Sequence, residues 1–152
     1  MISIALALHL LSAVLWVGGM FFAYMVLRPV AVRTLEPPFR LELWRQVFSR
    51  FFPWVSLSIA VLFITGLWMM WQLFGGFGQS PIYVHIMLTL AIIMTGLFAW
   101  LKHGPVKKLT TAVIEENWQK GGEILVTIRK IIAINLSLGL LLIAIASGGR
   151  YL

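Results

Sequence analysis

The sequence predicts an all-α fold, an integral membrane four-helix bundle with both termini on the outer face (N-out, C-out). Three observations carry this prediction. The 152 residues are 61% hydrophobic and only 11% charged, whereas a soluble domain averages about 25% charged residues. The charges are segregated: none falls between Met1 and Leu27, between Phe51 and Leu101, or between Ile131 and Gly149. Each of those blocks is at least as long as the roughly 18–20 apolar residues that cross a bilayer.

The first block forms one span, about residues 3–27. It lacks a basic leader and runs too long without an A-x-A-like cleavage site after its apolar run, so it is expected to stay in place rather than act as a signal peptide. The second block, 51 residues from Phe51 to Leu101, is too long for one span. The run Gly75 to Pro81, GGFGQSP, breaks it with turn-forming residues. That gives spans of about 53–74 and 82–101, and the third block completes a span of about 123–148. Such runs are read as helices because lipid offers no partner to an unpaired backbone group. All 152 residues are read as a single transmembrane domain.

Orientation follows from the cations. Arg28, Arg33, Arg40, Arg45 and Arg50 lie between the first two spans; Lys102, Lys107, Lys108, Lys120, Arg129 and Lys130 lie between the last two or at their ends. The connection between the second and third spans is uncharged, and the C-terminal tail carries only Arg150. The positive-inside rule makes the basic end cytoplasmic, which predicts a multi-pass membrane protein with both termini outside. The net charge of +7 is then a consequence of topology, and no nucleic-acid partner is implied. The lipid bilayer is the expected partner, its anionic headgroups meeting the basic residues. The repeat of Phe39, Leu43, Val47 and Phe51 predicts a short interfacial helix leading into the second span. Val106, Leu109, Val113 and Trp118 predict another, ended by Gly121 and Gly122.

Several chemistries are excluded. There is no Cys and no Asp, and all five Glu lie in the cytoplasmic segments, so no carboxylate pair serves acid–base chemistry inside the bundle. No phosphate-binding glycine loop and no nucleophile elbow occur. Two ionisable side chains remain at membrane depth, His9 and His85, and such groups are functional candidates by default. His9 lies about 10 Å into the first span and His85 about 6 Å into the third, and both spans run inward. Ser12, Trp16, Gly19 and Ala23 follow His9 at spacings of three and four; Thr89, Ile92, Gly96 and Ala99 follow His85 in the same way. Both stripes are expected to face other helices. Diagonal helices of a bundle lie some 11–14 Å apart, room for two imidazoles sharing a metal. A haem plane would fit there against Trp16, Phe21, Trp68, Met69 or Met70. The alternative is that each histidine hydrogen-bonds a neighbouring helix.

The segments ALHLLSAVLWVGGMFF (Ala7 to Phe22), FFPWVSLSIAVLFITGLWMMW (Phe51 to Trp71) and YVHIMLTL (Tyr83 to Leu90) resemble the copper-resistance protein D (CopD) superfamily, in particular its small four-helix members. A related branch is HemJ, the haem-containing protoporphyrinogen IX oxidase. That resemblance implies a bacterial inner-membrane protein with a b-type haem ligated by His9 and His85; Ser12, Trp16, Met69, Met70 and Thr89, from the stripes and the bundle geometry, are the candidate residues around it. HemJ proteins carry a lysine where Met87 stands here and an Arg-x-x-Asn-Glu pattern that Arg129, Asn135 and Leu136 do not reproduce. Both departures argue against protoporphyrinogen oxidation.

The leading expectation is therefore an inner-membrane haem b protein engaged in electron transfer or haem handling, with a quinone or a redox protein as partner. The CopD name implies an alternative, copper binding or passage, with thioethers of Met69, Met70, Met87 and Met94 joining the histidines, because copper(I) favours soft ligands. The HemJ-like oxidase is a further alternative. Enzymatic activity, catalytic residues and a homo-oligomeric state are left open.

Overall fold

A computed structural model describes residues 1–149. Four long helices carry the apolar stretches: α1, Ile2–Thr34, α2, Pro37–Phe74, α3, Ile82–His103, and α5, Trp118–Gly148. A shorter helix, α4, Pro105–Ile114, continues from α3 after a bend at Gly104. The only non-helical stretch between α2 and α3 is Gly75 to Pro81, where Gly75 ends α2 at a φ of 75° and a single 3₁₀ turn, Phe77–Gln79, follows. Glycine is needed at Gly75 and Gly76 because both adopt positive φ. All four long helices have the length and hydropathy to cross a bilayer.

The helices outrun their apolar stretches at the basic end. α2 is continuous through Pro53 for 38 residues, so the segment before Pro53 is not a separate interfacial helix as expected. Its inward face is also different: Leu41, Trp44, Phe48 and Phe52 are buried, while Phe39 is exposed. The expected four-residue repeat lies beside that face, with Val47 and Phe51 half-buried against the core, while the ring stack Trp44–Phe48–Phe52, with centroids 5.4 and 5.3 Å apart, turns fully inward. The second expected interfacial helix exists as α4, but it ends at Ile114. Trp118, Gly121 and Gly122 belong to the first turns of α5, where the Asn117 side chain accepts from the Lys120 amide at 3.1 Å. Leu109 and Val113 are buried against the helices rather than laid on lipid. Gly121 permits this: a Cβ there would stand 2.9 Å from Leu41 Cδ1.

Packing pairs α1 with α2 and α3 with α5. α1 contains two widened π-helical turns, Val14–Gly18 and Phe22–Leu27, and buries Ser12, Trp16, Val17, Met20 and Ala23. Gly19 receives the ring of Phe51 where any side chain would clash. The diagonal helices α1 and α3 meet deeper in the bundle. Trp16 lies edge-on to Phe98 at 6.4 Å, and Val17 and Met94 both close on Gly139 of α5. Asn135, 3% exposed, donates from Nδ2 to the Met94 carbonyl at 3.4 Å. Its Oδ1 is buried without a hydrogen-bond partner among the described residues.

Candidate functional site: His9 on the α1–α2 seam

His9 and Thr65 define the most developed polar contact at membrane depth. Thr65, buried in α2, donates its hydroxyl proton to the Val61 carbonyl at 2.6 Å. The Thr65 oxygen lies 2.9 Å from His9 Nδ1. With its own proton already engaged, Thr65 accepts, so Nδ1 of His9 carries the hydrogen. The other ring nitrogen, Nε2, is then left with its lone pair, the state in which neutral imidazole binds metals. Gly66, next along α2, makes room for the ring: a Cβ there would stand 3.1 Å from His9 Cε1. Fixing a histidine tautomer through its second nitrogen is also what outer-sphere partners do for metal ligands.

The remaining candidates are distributed unevenly. Ser12 is buried one turn along α1 from His9, and Trp16 is buried a turn further, in the core. Met69 lies one turn beyond Thr65 on α2 and is half-buried; its neighbour Met70 is buried. His85 is half-buried on α3, and its carbonyl accepts the Thr89 hydroxyl at 2.9 Å. Thr89 itself is exposed, as are Ile92, Gly96 and Ala99. The expectation that this stripe faces other helices is corrected: α3 turns Met94, Phe98 and Leu101 inward instead. The reason is Gly139, whose missing side chain admits the Met94 methyl and so sets the rotation of α3 against α5. No three His or Glu side chains cluster as a metal site among the described residues. Met94, wedged at Gly139 and 1% exposed, is a packing residue.

Thr65 and Gly66 were not evident as candidates in the sequence. The one signal was a hydroxyl next to a glycine inside a run of large apolar residues, and only the α1–α2 seam brings them to His9.

Helices of this length and apolarity, arranged as two packed pairs, define a multi-pass membrane protein. Residues 45–148 match the copper resistance protein D (CopD) family, and the chain belongs to that family. The matched region takes in α3 and α5 whole and most of α2, including Thr65, Gly66 and His85; α1 with His9 lies before it. A protein of Aquifex aeolicus (strain VF5), described as an uncharacterized protein, is 38% identical over 76 residues, which are 49% of this chain and 52% of that protein. The chain therefore aligns with about half the length of that relative. No solved structure matches it significantly.

Proposed function

We propose that this chain handles copper(I) in the membrane, with His9 as the principal ligand. The observation that carries the reading is the His9–Thr65 contact, which reserves the Nε2 lone pair, on a chain of a family named for copper resistance. The donor set suits the ion. Imidazole and the thioether of Met69, a turn from Thr65, are soft ligands, and no carboxylate lies in the span to favour a hard divalent cation. The basic end is assigned to the cytoplasm, which puts His9 in the outer half of a bacterial inner membrane. Copper here is cargo: His9 takes up the ion, Thr65 holds the ring, and Met69 offers the next soft donor.

The haem b reading needs His9 and His85 to share one iron. The outward stripe on α3 weighs against it, because His85 heads an arc of exposed residues. The deciding experiment is copper(I) titration of detergent-purified protein under reducing conditions against a chromophoric chelator, with an absorption spectrum of the protein as isolated. One copper per chain, lost in His9→Ala and with no Soret band, is the expected result. A reducible Soret band lost in both His9→Ala and His85→Ala restores haem; binding unaffected by His9→Ala overturns the copper reading.

A further inference from the structure

At the basic end a cavity of about 270 Å³ opens between α1, α2 and α5. Three arginines converge on it from three helices: Arg28 at the end of the apolar part of α1, Arg40 in the extension of α2, and Arg129 of α5. Each is half-buried. Among the described residues none of them has a carboxylate within 4 Å; the ion pair present is Arg45 with Glu42, outside the cavity. The walls are aromatic and aliphatic, with Tyr24, Trp44 and Trp118 prominent, and the Arg28 guanidinium lies 5.2 Å from the centre of the Tyr24 ring. Three guanidinium groups on a partly apolar wall, without a counter-charge, are complementary to an anion that carries apolar groups.

The position says which anion. Arg129 lies 19 residues before Gly148, so about 28 Å along α5, close to the roughly 30 Å thickness of the hydrocarbon core. The cavity is therefore level with the headgroups. Its volume is a little below the roughly 300–1,000 Å³ of sites that enclose a whole drug-sized ligand. It suits a headgroup whose tails remain outside, and Ala23, Phe48 and Ile132 give it an apolar lining on the side toward the hydrocarbon. We infer that this cavity is a specific site for the phosphate headgroup of an anionic phospholipid, held by Arg28, Arg40 and Arg129. Basic recesses between transmembrane helices on the cytoplasmic side bind anionic lipids by this chemistry. The inference is independent of the copper reading, since it rests on the opposite end of the bundle.

The test is native mass spectrometry of the intact chain after delipidation, titrated with phosphatidylglycerol or phosphatidylcholine. One phosphatidylglycerol per chain should be retained at least about ten-fold more tightly than phosphatidylcholine, with the preference fading as salt is raised. Arg40→Gln with Arg129→Gln should abolish the preference, while Arg33→Gln, exposed and outside the cavity, should keep it. Equal affinity for the two lipids in the wild-type chain overturns the proposal whether or not the double variant folds, and so does an equal loss in Arg33→Gln. Glycerol phosphate or inorganic phosphate that displaces the lipid at equal concentration would make the ligand a soluble phosphate and overturn the lipid assignment.

Discussion

His9 Nδ1 lies 2.9 Å from the hydroxyl oxygen of Thr65, 56 residues away on the adjacent helix. Because that hydroxyl donates to Val61 within its own helix, the contact fixes which nitrogen of His9 bears the proton. A buried imidazole takes such a partner whether it packs or ligates. The two roles separate by experiment.

Thr65→Val keeps the volume and removes the acceptor. Copper(I) affinity should fall about ten-fold or more, the usual effect of removing a partner that orients a metal-binding histidine. Thr65→Ser should stay close to wild type. Chelator competition on the three proteins reads the order, and equal affinities would leave the contact a structural one.

His9 and His85 should behave differently on substitution. His85→Ala, on the arc of α3 that leads outward, is expected to leave copper(I) stoichiometry unchanged, while His9→Ala loses it. Parallel titrations of the two variants check this, and an equal loss in both would mean that the two histidines act together.

Gly139→Ala places a methyl 2.9 Å from Val17 Cγ2 and 3.1 Å from Met94 Cε. The methionine end can yield, but β-branched Val17 is stiff, so the substitution should cost about 1–3 kcal/mol. Gly96, on the exposed arc with nothing within 4 Å of a Cβ, should accept Ala with no loss. Thermal unfolding in detergent compares the two directly.

Asn135→Leu tests the unpartnered oxygen in the core. The present side chain makes one long hydrogen bond, 3.4 Å, and leaves Oδ1 without a partner among the described residues. Replacing both polar atoms by a similar apolar volume should change stability by no more than about 1 kcal/mol, or raise it. A large loss of stability would show that Asn135 has a polar partner in the membrane.

Much of the architecture was legible in the chain itself. Charge-free stretches, the GGFGQSP break and the one-sided distribution of cations specify four spanning helices and their basic end, because lipid forces each span to satisfy its own backbone. His9 stood out for a related reason, since an ionisable group in hydrocarbon is costly wherever it points. The inward arc of the first stripe, Ser12, Trp16 and Ala23, was also readable.

The rotation of each helix was not. In water an apolar arc marks the buried face, but lipid tails are as apolar as leucine, so hydrophobicity does not distinguish a core face from a lipid face. Small residues were the available guide, and on α3 they pointed outward, since the fit of Met94 into Gly139 governs that contact. The same limit applies to the convergence of Arg28, Arg40 and Arg129, which are far apart in sequence and share a cavity only because α2 and α5 continue past the bilayer. Composition by itself determined what crosses the membrane and where it stops. Only side-chain fit between helices decided that His9 meets Thr65 while the stripe of His85 turns toward lipid, because in a uniformly apolar solvent steric complementarity is what tells one helix face from another.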